Sequence, residues 1–558
     1  MSEKLPSIAD DQSGPAPRSR SARHWWFPVT VVFVVTAWLA WQWRQAGYQT
    51  MHHVIAVLIG ALLISVWFTT YGPLPRRVRT TIAGLGWMAV ALTWLFFRPV
   101  YNGDMGIVGL RPRFGQDADE LIPGVTAANR ADDWHSTPRD YPRFLGGGYW
   151  AEVAGAELNT NWESHPPKEM WRREIGAGWS AFAIVGPYAI TQEQRGEQEL
   201  VTCYRVDDGS PVWVHSDPVR FDPGASGGLG RIGPRATPTI VGDRILTQGA
   251  TGLVNCLNAR NGEAIWSRDT IAESGAELPI WGKSGSPLVV DNMVIISVGA
   301  PSAETAAKTH AKGKKIKTSL MAYDLETGRR RWFAGARRAS YASPIVATFA
   351  GEKQIVCVNE GYVTGHRLKN GAVLWETPWP SETDTTASAA QPMPVGEDRL
   401  FLSKGYGWGA TLLKVSRDSE GKWKASPLWN PPLRPVMKTK FNNVVIRDGF
   451  VYGLDDVLMQ CIELKTGKVR WKKRRSPEFG HGQILLVGNA ILVLSEAGEL
   501  ALVEASPIKY SELGSIQALD PVDVTWNNPA FAQPYLLVRN AREAACYRLP
   551  LVETAAEE

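Results

Sequence analysis

The sequence predicts an all-β fold, an eight-bladed β-propeller preceded by an N-terminal bundle of three transmembrane helices. Three observations predict it. A hairpin unit with a turn glycine four residues before a tryptophan recurs along the chain. Two further strand-like runs stand upstream of each copy. Three long uncharged apolar stretches occupy the first hundred residues.

The apolar stretches come first. Residues 25–43 ("WWFPVTVVFVVTAWLAWQW"), 51–71 and 80–97 are each long enough to cross a hydrocarbon core of ~30 Å. Eight of the 24 Trp lie within residues 1–100, several at the run ends where interface anchors belong. The net charge of +5 is unevenly spread: residues 1–100 carry nine Lys/Arg against three acids, which leaves the remainder at −1. A near-neutral body has no electrostatic footprint for nucleic acid. The basic residues Lys4, Arg18, Arg20 and Arg23 of the tail, with Arg76, Arg77 and Arg79 of the second loop, place both on the cytoplasmic side. Three spans then put the rest outside the cytoplasm. The expected location is multi-pass in the inner membrane, with the bilayer as one partner and the propeller on the periplasmic side. A reading of the first run as a cleaved signal peptide is weaker, because two more runs follow it.

The expected organisation is a cytoplasmic tail (1–24), the three helices (25–98), a tether and lead-in (99–165), the propeller (166–550) and a short tail (551–558). The Gly- and Pro-containing stretch 101–130 reads as the tether.

The repeat is read from five copies. "CYRVDDGSPVW" ends at Trp213, "CLNARNGEAIW" at Trp266, "AYDLETGRRRW" at Trp332, "GHRLKNGAVLW" at Trp375 and "CIELKTGKVRW" at Trp471. Each opens on a small residue ten before the Trp, and each has an Asp-Gly, Asn-Gly or Thr-Gly turn. A degenerate copy ends near Trp429, and another around "ELALVEASPIKY" has lost both Gly and Trp. Upstream runs such as "PTIVGDRILTQG" supply two more strands, so a unit is one four-stranded blade. Blade starts fall near 181, 238, 287, 344, 393, 442, 482 and 530. The last copy stops at its third strand, and "PKEMWRREIG" around Trp171 offers the missing fourth. Ring closure by a shared blade removes an exposed sheet edge.

These units resemble those of the PQQ-like, quinoprotein-type eight-bladed propellers, with "DWHSTPRDYPRFLGG" resembling the opening segment of such proteins. The nearest resemblance is to membrane-anchored PQQ-binding-like β-propeller repeat proteins. It covers residues from about 130 to 550 and implies the fold. Two functions go with it. One is a non-catalytic interaction or ligand-binding platform, in envelope protein assembly or sensing, with a protein partner or small ligand at a propeller face. The other is a periplasmic alcohol or sugar dehydrogenase using PQQ with calcium and passing electrons to membrane quinone.

Residue by residue, the platform is favoured. The alcohol dehydrogenases of the family place two adjacent cysteines at the cofactor, whereas Cys203, Cys256, Cys357, Cys461 and Cys546 are isolated. Four of them share one small-residue slot in separate blades, which argues against disulfides. No CxxCH haem motif occurs, and His135, His165, His215, His310, His366 and His481 do not fall at metal-ligand spacing. No catalytic residue and no calcium ligand is assigned. Segments just before each blade's first strand are expected to ring one mouth of the axial channel. They bring forward Trp179, Arg235, Lys283, Tyr341, Asn442, Asn443, His481 and Asn527, with Trp281 close by, as a set able to hold an anionic or carbohydrate-like ligand; strand capping and water binding are the plainer role for them. A lysine-rich loop (Lys308, Lys312, Lys314, Lys315, Lys317) reads as a solvated insertion or a contact for anionic head groups or an acidic partner.

Overall fold

A computed structural model describes residues 26–43, 49–104, 106–123, 129–148, 150–224, 230–302, 318–383, 385–429, 435–521 and 523–552. The lysine-rich loop and the N-terminal tail lie outside the described residues. The chain divides into two compact units, Met1–Pro99 with Leu110–Phe114, and Val100–Gly109 with Gly115–Glu558.

In the first unit the three apolar runs are helical: α1 (Trp26–Trp43), α2 (Gln49–Tyr71) and α3 (Arg76–Phe96). Hydroxyls inside them are satisfied locally, as when Thr69 Oγ1 donates to the Ser65 carbonyl, and Trp87 Nε1 of α3 donates to Ser65 Oγ of α2 at 3.2 Å. Helix α3 starts four residues earlier than the sequence run, so Arg76, Arg77 and Arg79 form its first turn. Among the described residues α3 alone is long and apolar enough to cross a membrane by length and composition; the apolar parts described for the others, Trp26–Trp38 and Ile55–Tyr71, are shorter.

The stretch expected as a plain tether contains regular structure. Strands Phe97–Tyr101 and Ile107–Pro112 form a hairpin, and Ala118–Leu121 is a helical turn with an Asp117/Glu120 capping box. Asp119 is held by Arg220 Nη1 at 2.7 Å.

The second unit is the propeller. Eight sheets run outward in sequence order from inner strands that begin at Ala183, Thr239, Leu288, Ile345, Met393, Val445, Gln483 and Ala530. Inner strands touch between blades one and two, two and three, three and four, six and seven, and eight and one. Blade eight takes its outer strand, Lys168–Glu174, from the N-terminal side, with Cys546 opposite Trp171. Blade seven gains a fifth, parallel strand, Glu152–Val153, on its inner edge.

The glycine–tryptophan spacing follows from how blades pack. Each repeat Trp pairs across its hairpin with the small residue: Trp213 with Cys203, Trp266 with Cys256, Trp332 with Ala322, Trp375 with Gly365 and Trp471 with Cys461, each next to a bulge. The indole then covers the turn glycine of the next blade, Trp213 over Gly262, Trp266 over Gly328 and Trp171 over Gly209. In four of these tryptophans Nε1 donates to a carbonyl in that next blade: Trp171 to Val206 at 2.8 Å, Trp213 to Ala259 at 3.0 Å, Trp266 to Leu325 at 2.9 Å and Trp471 to Ser506 at 2.8 Å; Trp332 covers Gly371 without such a bond. One residue thus both fills and pins an inter-blade gap. Trp429 of the degenerate copy still covers Gly467 and bonds Leu464. Trp375 faces the blade with the altered turn and bonds Gln354 within its own blade instead. In blade seven, which has lost its Trp, Gly514 occupies the place opposite Leu502 and Trp162 of the lead-in packs against it. All five cysteines are free and buried, in separate sheets, and burial pushes their thiols up, four of them to about 12.

The ring is closed by polar groups as well. Arg539 of blade eight is fully buried and donates to Gly176 O at 2.7 Å, Thr191 Oγ1 at 2.8 Å and Gln192 O at 2.9 Å. Beside it Glu193 is buried without exposure. Desolvation works against its charge, yet Arg195 and Arg539 hold its carboxyl below the usual range.

Candidate functional site: the cavity at the channel mouth

The segments leading into the inner strands converge on one mouth of the ring. Their lining residues stand at a fixed offset from the inner strands. The residue four before the inner strand lines an axial cavity of about 130 Å³ in seven blades: Trp179, Arg235, Ser284, Tyr341, Ala389, Phe441 and Trp526. Gly230, Trp281, Ser343, Ala387 and Asn528 line it too, with Phe144 of the lead-in.

Two residues further on, side chains staple blade to blade. Ala181 N donates to Thr237 Oγ1 at 3.1 Å, Thr237 N to Ser286 Oγ at 3.0 Å and Ser286 N to Ser343 Oγ at 2.8 Å. With the Gln391 amide turned so that both its groups are satisfied, Ser343 N donates to it at 3.0 Å, and Gln391 N donates to Asn443 Oδ1 at 2.8 Å. This belt runs from blade one to blade six at the same register.

Of the residues expected around the mouth, Trp179, Arg235 and Tyr341 line the cavity, as does Trp281. The other five do not, each for a stated reason. The Lys283 ammonium is buried within blade three, where it donates to the Val298 carbonyl, and burial pulls its pKa down to about 7. Asn443 is part of the belt. Asn442 Oδ1 accepts from Lys440 N at 3.2 Å in its own turn. Asn527 Nδ2 donates to Ser180 O at 2.9 Å and Gly178 O at 3.2 Å, joining blades eight and one. His481 faces Asp104, its Nε2 2.9 Å from Oδ1. Sequence reasoning missed Phe441, Trp526 and Asn528, which sit next to the chosen asparagines, and Ala387 and Ala389 of blade five, whose small side chains carry no signal of their own.

The cavity is walled by rings. Trp526 meets Trp179 edge-on at 4.8 Å and Phe441 at 4.7 Å, and Trp281 lies 5.4 Å from Tyr341. The Arg235 guanidinium sits 5.0 Å from the Trp179 ring and 4.5 Å from Phe221, bonded to the Gly233 and Arg231 carbonyls. It is 8% exposed, and burial lowers its pKa to about 10. Its Nε, the Trp179 Nε1 and the Asn528 Oδ1 are buried without a hydrogen-bond partner within the protein. Two donors and an acceptor therefore await a ligand or water at an otherwise aromatic wall. Behind Arg235, burial pushes the Glu199 carboxyl up to about 7, against the Ala250 N–H it accepts at 3.1 Å.

A calcium-assisted quinone site needs clustered oxygen ligands. The wall offers indoles, phenyl rings, hydroxyls, one amide and a guanidinium, and among the described residues no three His, Cys, Asp or Glu are grouped so as to hold a metal. The residues present do not fit it.

An eight-bladed ring built on the small-residue, turn-glycine, tryptophan unit defines the class: the chain carries a PQQ-like repeat propeller. A family profile described as "Outer membrane protein assembly factor BamB" matches residues 197–473. The outer membrane protein assembly factor BamB of Burkholderia pseudomallei (strain K96243) is 22% identical over 281 residues, covering 46% of this chain and 70% of that protein. The quinohemoprotein alcohol dehydrogenase of Comamonas testosteroni is 12% identical with a TM-score of 0.52, over 76% of this chain and 83% of its own. A europium-containing methanol dehydrogenase is 12% identical with a TM-score of 0.53, over 74% and 98%. At these identities the two dehydrogenases share the fold and nothing more is drawn from them.

Proposed function

We propose that the chain is a membrane-anchored, extracytoplasmic propeller that serves as a non-catalytic platform in envelope protein assembly, with the mouth cavity as its binding site. The observation that carries the binding role is the cavity itself: an aromatic wall with a buried guanidinium and three polar atoms lacking partners. Such a wall suits recognition of a flat or apolar group bearing an acceptor for Arg235 and Trp179. The assembly role is supported by the likeness to the outer membrane protein assembly factor BamB of Burkholderia pseudomallei. Anchoring through all three helices is supported by apolar side chains left exposed along them, among them Phe33, Val66, Leu85 and Leu95, and by the basic tail and second loop.

The test is photo-crosslinking in membranes with p-benzoylphenylalanine at Tyr341. Adducts with envelope assembly components, lost when Arg235→Gln and Trp179→Ala are introduced, are expected. If nothing enriches over a propeller-deleted control, the platform role falls. Purified full-length chain is also mixed with PQQ and Ca²⁺; a stoichiometric, dye-reducing complex would overturn the non-catalytic assignment. Protease added outside intact inner membranes is expected to digest the propeller, and protection would reverse the orientation.

A further inference from the structure

Beside the mouth cavity the propeller holds a turn from the hairpin that follows α3. The turn, Asn102–Gly103–Asp104, belongs to the same compact unit as the blades. It is braced internally: Asn102 Oδ1 accepts from Gly106 N at 2.6 Å and Asp104 N at 3.2 Å, and Asn102 N donates to Gly106 O at 2.8 Å.

Its receptacle has three parts. Glu496 Oε1 accepts from Gly103 N at 2.6 Å. Lys440 Nζ donates to Gly103 O at 2.7 Å and to Asp104 Oδ1 at 2.9 Å. His481 Nε2 lies 2.9 Å from the same Asp104 oxygen. The three side chains come from the lead-ins of blades six and seven and from a hairpin of blade seven, and are 4%, 0% and 9% exposed for Lys440, His481 and Glu496. Burial opposes the Asp104 charge, but His481 and Lys440 outweigh it and hold the carboxyl well below the usual range. A Cβ on Gly103 would overlap the His481 ring, so the seat is shaped for glycine at that position.

Every part of the receptacle is tied to the cavity wall. Glu496 Oε1, which takes the Gly103 N–H, also takes the Trp526 Nε1–H at 2.6 Å. Lys440 directly precedes Phe441. The His481 ring meets the Phe441 ring edge-on at 5.7 Å. Phe441 and Trp526 both line the cavity.

We propose that the Lys440–His481–Glu496 receptacle is a docking site for the chain's own acidic Asn102–Asp104 turn, and that its occupancy sets the aromatic wall of the mouth cavity. Without the turn, a buried ammonium and a buried carboxylate each lose a hydrogen-bond partner, so the receptacle must rearrange. Because Glu496 is shared, that rearrangement reaches Trp526; because Lys440 and Phe441 are adjacent, it reaches Phe441. The coupling is reciprocal: whatever fixes the wall steadies the turn. It holds whether or not the cavity takes a ligand, so it stands apart from the function proposed above.

Hydrogen exchange read by mass spectrometry on the full-length chain in detergent tests it, comparing the wild type with Gly103→Ala and Asp104→Asn. Exchange across 100–104 is expected to rise about tenfold, the loss of one charge-assisted bond. Peptides covering 438–443 and 523–528 are expected to rise with it by at least about threefold, while the inner strands of blades two and three stay unchanged and report an intact fold. A rise at 100–104 with both wall peptides unchanged would overturn the coupling. No rise at 100–104 in Asp104→Asn, the variant that keeps the shape, would overturn the docking, and this holds even if Gly103→Ala fails to fold.

Discussion

Replacing Gly262 by alanine tests the tryptophan wedge directly. Gly262 is the turn glycine of blade two, at φ +72°, and a Cβ there would come within 3.0 Å of three atoms of the Trp213 ring, which is 1% exposed. Two costs add. A left-handed backbone for a residue with a Cβ costs about 1–2 kcal/mol. Overpacking against a ring that has no room to retreat costs about 1–3 kcal/mol more. Gly242 separates them, since it has φ +58° with nothing within 4 Å of its would-be Cβ. Gly242→Ala is expected to lose about 1–2 kcal/mol and Gly262→Ala about 2–5 kcal/mol in urea unfolding followed by far-UV circular dichroism. The sharper readout is a double-mutant cycle. In a Trp213→Ala background, itself about 3–5 kcal/mol less stable, the clash is gone and Gly262→Ala should cost only what Gly242→Ala costs. A coupling energy of about 1–3 kcal/mol is expected; one below about 0.5 kcal/mol would refute the wedge as the reason for the spacing.

The other predictions concern charge and closure. Glu199 titrates near 7 in the fold against 4.5 ordinarily, so its contribution is fully present below 4.5 and is lost as pH rises through 7. Glu199→Gln, which keeps an acceptor for Ala250 N–H, should leave stability unchanged at pH 4 and add up to about 3 kcal/mol at pH 8. Equal effects at both pH values in thermal melts would contradict the buried charge. Arg539→Met should cost about 3–5 kcal/mol, because it leaves the Glu193 charge short of a partner and three acceptors in blade one unbonded; denaturant midpoints measure it. Trp162→Ala should cost about 3–5 kcal/mol, as a core tryptophan does, although it lies outside every repeat. A loss under about 1 kcal/mol would show that the side chain does not stand in for the missing tryptophan of blade seven.

The blades were legible because turn glycine and tryptophan stand four residues apart in one hairpin, although each indole packs on the next blade, and the pattern survives in five copies. Closure was legible from an incomplete last copy and a spare strand at Trp171. The cavity was only partly so. Its residues are set by a fixed offset counted back from each inner strand, and polar side chains drew attention to Asn442, Asn527 and His481 when the lining residues were Phe441 and Trp526 four before the strand. Polarity there marks other contacts: Asn442 bonds within its own turn, Asn527 joins blades eight and one, and His481 faces Asp104. Trp162 escaped notice because it belongs to no repeat and meets its blade only in three dimensions. The Asn102–Asp104 turn escaped for the same reason: its partners lie more than three hundred residues away, and a Gly-Asp turn in a Gly- and Pro-containing stretch reads locally as a spacer.

Sharing one sheet between the two ends of the ring also dictates when the protein can be finished. Arg172 and Glu543, paired across the closing strands, are 371 residues apart. The strand Lys168–Glu174 leaves the ribosome early and waits, its backbone groups bare, while seven complete blades are made after it. Final assembly is therefore a late, long-range event that the growing chain cannot begin by itself. Until then the nascent molecule carries an open strand, and any quality-control factor that shields such edges has its longest window here.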